Sequence, residues 1–132
     1  MSAMRNAWGK AVVLAAILGL TPSGWPQDAP KIPSKGPVRG YLVDLLCTRQ
    51  RAKEGVKLGE VHTKMCLQMP PCESSGYAVM TPDYQILRFD DKGNDKAKKL
   101  LEKTNQASNF VVLVSGKIKD DEIEVSRIDL LK

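Results

Sequence analysis

The 132-residue chain is 42% hydrophobic and 27% charged, a balance that excludes disorder and a polytopic membrane protein and fits one small domain. Its 20 Lys+Arg against 15 Asp+Glu give a net charge of +5, but Arg5 and Lys10 lie in a removable leader. The remaining excess is too mild to signal nucleic acid.

The leader opens the chain. Arg5 and Lys10 form a basic n-region, Ala11 to Leu20 an unbroken apolar run, and Thr21-Pro22-Ser23-Gly24 a helix-breaking small-residue stretch. That order marks residues 1–27 as a secretory signal peptide. The run is shorter than the roughly 20 residues a membrane span needs, so no transmembrane segment is expected once it is removed. The mature protein is expected to be periplasmic or secreted. Residues 28–37 are rich in Pro and small polar residues and read as an extended linker. The folded domain is then 38–132, large enough for one modest core.

Val38 to Leu46 reads as a first strand, with Gly40 at a bulge or bend. Thr48 to Gly59 turns polar and basic, and Gly55 and Gly59 argue against a long helix there. Glu60 to Met69 reads as one short helix, stopped by Pro70-Pro71. Gly76 to Thr81 and Tyr84 to Phe89 are two short strands around a Pro82-Asp83 turn. Asn94 or Asp95 then caps a helix running to about Gln106, with Ala97, Leu100 and Leu101 on its apolar face. Phe110 to Lys119 is a long strand bent at Gly116, and Glu122 to Leu130 alternates as a half-buried antiparallel strand.

The order strand, irregular excursion, strand, strand, helix, strand, strand is that of a small five-stranded OB-like barrel, mainly β with one or two helices. The competing architecture is an open α+β antiparallel sheet.

Gly40-Tyr-Leu-Val-Asp-Leu-Leu-Cys47, His62-x-x-x-Cys66, Cys72, Gly76-Tyr-Ala-Val and Val112-Leu-Val-Ser-Gly116 followed by Ile123-Glu-Val carry a resemblance. The chain resembles small exported bacterial proteins that carry an uncharacterised OB-fold-like domain. They share a Gly-…-Asp-x-x-Cys opening strand and a closing Val-x-Gly…Ile-x-Val hairpin. The resemblance implies export and a small β-barrel, and no activity.

Three cysteines and one histidine are the unusual reagents. In an exported protein thiols pair or bind metal, and an odd number leaves one over after any disulfide. On a helix from Glu60 to Met69, His62, Met65, Cys66 and Met69 share one face. Cys47 and Cys72 at the flanking segments then complete a metal site of Cys47, His62, Cys66 and Cys72, with Met65 and Met69 as further donors. Thiolate, imidazole and thioether suit Cu(I), or Zn(II) if three Cys and the His close a tetrahedron. The alternative is a stapled module without metal. One disulfide among Cys47, Cys66 and Cys72 fixes the excursion, and Met65, Cys66 and Met69 simply pack as soft hydrophobes.

Catalysis is not expected. A Cys–His nucleophile pair would need a third group to orient His62. Asp44, three residues before Cys47 on what reads as one strand, faces the opposite side. Asp90-Asp91 and Asp120-Asp121 fall in turns, and no phosphate loop, serine motif or haem attachment motif is present. Nucleic acid is not expected as a partner either. Tyr41, Tyr77, Tyr84, Phe89 and Phe110 are few for a stacking platform, and Arg49, Arg51, Lys53 and Lys57 read as a solvated loop. Lys96, Lys98, Lys99 and Lys103 form the wet face of the helix. The expected function is that of an exported binding or interaction module. Its partner is an envelope protein, an oligosaccharide or a soft metal ion.

Overall fold

The computed structural model describes residues 37–132, so the leader and nearly all of the linker lie outside the described residues. Five strands close into a barrel in the order β1-β2-β3-β5-β4: β1 (Val38–Asp44), β2 (Tyr77–Met80), β3 (Ile86–Phe89), β4 (Val111–Lys119) and β5 (Glu122–Leu130). All neighbours are antiparallel except β3 and β5, which pair in parallel through Arg88–Glu122 and Phe89–Ile123. This is the small OB-like barrel expected from the element order, and the open-sheet alternative falls.

Two glycines make closure possible. β1 pairs with β4 through its first half and with β2 through its second, so the chain turns a barrel corner at Gly40–Tyr41. A Cβ at position 40 would collide with the Met80 carbonyl. At Gly116 the β4–β5 register shifts by one residue after Ser115, and a Cβ there would strike the Glu124 carbonyl. Both are places where strongly bent strands bring backbones together.

The alternation of β1 explains its nearly continuous apolar sequence. Val38 and Leu42 face the barrel core with Tyr77, Leu87, Phe110, Val112 and Ile123. Val43 faces outward into a second cluster with Leu58, Ala78 and Met80. That outer cluster is roofed by the excursion between β1 and β2, which winds as α1 (Leu45–Gln50), a 3₁₀ turn at Ala52–Glu54, α2 (Lys57–Val61), α3 (Lys64–Leu67) and α4 (Pro70–Ser75).

Three sequence expectations change here. The first strand ends at Asp44, two residues early, because the Asp44 side chain caps α1 by accepting from the Cys47 amide. The helix expected from Glu60 to Met69 breaks at His62 and Thr63, which run extended beside residues 107–109. The Asn109 amide donates to the His62 carbonyl, and the Lys64 amide to the Ala107 carbonyl. Pro70 and Pro71 begin a helix rather than ending one, since the first turn needs no amide donors.

The long helix α5 (Asp91–Lys103) starts earlier than expected and ends at Lys103. Asp90 is its cap, with Oδ1 accepting from both Gly93 and Val125 amides at 2.9 and 3.1 Å. Asn94, expected to cap, instead accepts from the Tyr77 amide at the start of β2. Ala97 and Leu101 are fully buried against the barrel, as the spacing predicted. Among the described residues no helix is long and apolar enough to cross a membrane.

Candidate metal centre at the start of the helical excursion

The junction of β1 and α1 places Asp44 at the centre of the candidate site. As the N-cap of a helix, Asp44 directs its carboxylate back over the first turn, and Oδ1 accepts from the Cys47 amide at 2.8 Å. The Asp44 carbonyl accepts from the Thr48 hydroxyl at 2.6 Å, fixing the turn from its other side. The spacing Asp-x-x-Cys is therefore a capping spacing, which sets the third residue of the helix beside the cap's carboxylate. Read as a continuous strand, the same spacing puts the two side chains on opposite faces. The expectation that Asp44 stands apart from Cys47 is corrected on this ground.

Cys72 arrives from α4, where it follows the two prolines. Two contacts latch α4 against α1. The Leu45 amide donates to the Gly76 carbonyl at 3.0 Å. The Ser75 hydroxyl accepts from the Leu46 amide at 3.1 Å and donates to the Cys72 carbonyl at 2.6 Å. The result is that one carboxylate oxygen of Asp44 and the sulfurs of Cys47 and Cys72 all lie within 4.8 Å of one another. Asp44 and Cys72 are buried and Cys47 is half-buried.

His62 approaches from the opposite direction. Its Nε2–H donates to Asp44 Oδ2 at 2.7 Å, and both side chains are fully buried. Its Nδ1 is buried with no hydrogen-bond partner among the described residues. His62 thus touches the cluster through the carboxylate and is not itself one of the three converging groups.

The electrostatics follow from this crowding. Burial pushes the Asp44 carboxyl up, but the hydrogen bonds from His62 and the Cys47 amide and the charge of His62 outweigh it. The net effect lowers Asp44 below its ordinary 3.8. Cys47 moves the other way: burial, then the Asp44 charge, then Cys72 push its thiol from 9.0 up to about 12. Burial and Asp44 raise Cys72 as well. Two protonated thiols beside an ionised carboxylate make poor nucleophiles, since the thiolate is the reactive form. A cation placed at their centre would reverse the repulsion that holds the protons on.

Of the four residues expected from sequence to bind metal, Cys47 and Cys72 converge, joined by Asp44, while His62 reaches the group through the Asp44 carboxylate. Cys66 is half-buried on α3, outside the converging group. Met65 and Met69 are 79% and 47% exposed, so the helix face meant to hold them beside His62 does not exist. All three cysteines are free thiols. Of the basic residues after β1, Arg49, Lys53 and Lys57 are exposed and Arg51 pairs with Glu54 at 2.7 Å, a solvated surface as expected.

Comparison of the chain with known protein families, with curated proteins and with solved structures gives no match.

Proposed function

We propose that the barrel is a metal-binding module that holds one borderline divalent cation, Zn(II) in chemistry, between Asp44, Cys47 and Cys72. The observation that carries this reading is the convergence of one carboxylate and two sulfurs, from three separate elements, within 4.8 Å. In a tetrahedral zinc site with bonds of about 2.0–2.3 Å the ligand atoms stand about 3.4–3.8 Å apart, so closure requires at most about an ångström of movement in any pair. Two thiolates disfavour Mg(II) and Ca(II), and the hard carboxylate disfavours Cu(I), which leaves zinc as the best match to the donor set.

Asp44 keeps acceptor capacity for this role, since each carboxylate oxygen has a second lone pair beyond its hydrogen bond. His62 and the Cys47 amide then hold the carboxylate in orientation as outer partners, a common arrangement around metal ligands. Three protein ligands leave one position for water or an external ligand. With the amino-terminal leader read from sequence, this module would work as a binding protein in the periplasm or outside the cell.

A second reading is favoured by the same two sulfurs. In an oxidising compartment Cys47 and Cys72 join as a disulfide that staples α4 to α1, leaving Cys66 as the spare thiol. The barrel surface then does the binding, and no metal is held.

The two readings separate in one experiment. The reduced chain is titrated with Zn(II) and Co(II), and bound metal is counted by native mass spectrometry alongside thiol accessibility. The metal reading expects one ion per chain, protection of two thiols, and sulfur-to-cobalt charge-transfer absorption. Cys47→Ser and Cys72→Ser should each abolish that absorption, whereas Cys66→Ser retains it. A chain that takes no metal when reduced and yields a Cys47–Cys72 peptide cross-link when oxidised supports the staple and overturns the metal site.

A further inference from the structure

Helix α5 and strand β5 form the walls of an open groove of about 480 Å³, within the range of small-molecule sites. Its floor is Leu100, Ile128 and Leu130, three half-buried side chains that continue the main core outward to solvent. Its rim is cationic. Lys96, Lys99 and Lys103 stand along one face of α5, spaced i, i+3 and i+7. Among the described residues none of the three has a carboxylate within ion-pair distance, whereas Lys98, on another face of the helix, pairs with Glu73. Arg127 faces them from β5, with its charge shared with Asp129 at 2.8 Å. Among the described residues no acidic side chain lines the groove, and the hydroxyl-bearing Thr104 and Ser126 complete it.

We infer that this groove binds a single-chain anionic amphiphile, a long-chain carboxylate in class. The alkyl chain lies along Leu100, Ile128 and Leu130, and the carboxylate is held among Lys96, Lys99 and Lys103. Charge complementarity selects the occupant: three unpaired cations beside an apolar trough call for one molecule that carries both an anionic head and an apolar body. A nucleic acid is disfavoured, because no aromatic side chain lines the groove to stack a base. The inference is independent of the metal centre, which lies among different elements.

Dodecanoate, titrated into the full chain below its micellar concentration, tests this by calorimetry and by amide chemical-shift mapping. The expected result is saturable binding of one molecule per chain, with shifts concentrated at Leu100, Ile128 and Leu130. Acetate, which lacks the tail, and dodecyl maltoside, which lacks the charge, should each bind at least tenfold more weakly. Replacing the exposed lysines together (Lys96→Glu, Lys99→Glu, Lys103→Glu) should weaken dodecanoate at least tenfold and leave the amide spectrum of the barrel core unchanged. The inference is overturned by absent or non-saturating binding, or by equal affinity in the triple variant. It is equally overturned by binding of phosphatidylglycerol vesicles or an acidic peptide without binding of the monomeric carboxylate.

Discussion

Asp44 meets three demands at once: it ends β1, caps α1 through the Cys47 amide, and takes the only hydrogen bond that the His62 ring makes among the described residues. Removing it leaves a buried imidazole and an uncapped helix together. Asp44→Ala should therefore destabilise the fold by about 3–5 kcal/mol, as breaking a buried pair from one side does, measured by urea unfolding of the metal-free reduced chain. Cys66→Ser should cost less than about 1 kcal/mol in the same assay, since its side chain is half-exposed and outside the cluster. The thiols add a pH dependence of definite sign. Cys47 titrates near 9.0 when unfolded and near about 12 when folded, so the folded state retains a proton that the unfolded state releases. Its contribution is intact below pH 9 and lost as pH rises toward about 12. Asp44 has the opposite sense: its contribution is present above 3.8 and lost as pH falls through its lowered folded value. Unfolding midpoints of the reduced protein should thus fall at both extremes, and a flat alkaline limb would contradict the burial of Cys47. The Cys residues were legible from sequence as the reagents of the site. Asp44 was not, because its role depends on where the strand stops, and only the Asp-x-x-Cys capping spacing carried that signal.

Among the elements, the five short helical pieces of the excursion are what sequence patterning describes least well. None is long enough for a periodic apolar face to declare itself. Their geometry is set instead by hydrogen bonds to distant segments: His62 and Lys64 to residues 107–109, and Leu45 and Leu46 to residues 75–76. A face of His62, Met65, Cys66 and Met69 exists only on a continuous helix, and the pairing of His62 with Asn109 removes it. The latch between α1 and α4 is testable at this scale. Ser75→Ala deprives the Leu46 amide of its acceptor and should cost about 1 kcal/mol. It should also weaken Zn(II) about 10-fold or more, the usual range for a lost outer partner, because Cys72 hangs from the same turn. Unchanged Zn(II) affinity in a folded Ser75→Ala variant would mean that the α4 position does not define the site.

For the whole molecule, topology was the most legible feature. β2 to β5 each show a run of apolar or alternating residues bounded by turn signals, and the single long helix between β3 and β4 fixes their order. Internal glycines at 40 and 116 mark strongly bent strands in the sequence itself, and the structure places carbonyls where their side chains would be. Gly116→Ala should accordingly cost about 1–3 kcal/mol, and Phe110→Ala, at the fully buried centre, about 3–5 kcal/mol. In the proposed site the metal would tie α4 to α1, which follows directly from β1 of the barrel. Zn(II) at a hundred times its dissociation constant should therefore stabilise the reduced chain by about 2.7 kcal/mol, and Cys72→Ser by none.

The most direct measurement is zinc-edge X-ray absorption on the reduced, zinc-loaded chain, which counts sulfur and light-atom neighbours around the ion. Ligation by Asp44, Cys47 and Cys72 requires two sulfurs at about 2.3 Å and oxygen neighbours at about 2.0–2.2 Å, with no imidazole scattering. A shell of three sulfurs, or one showing imidazole, would contradict it and return Cys66 or His62 to the first coordination sphere.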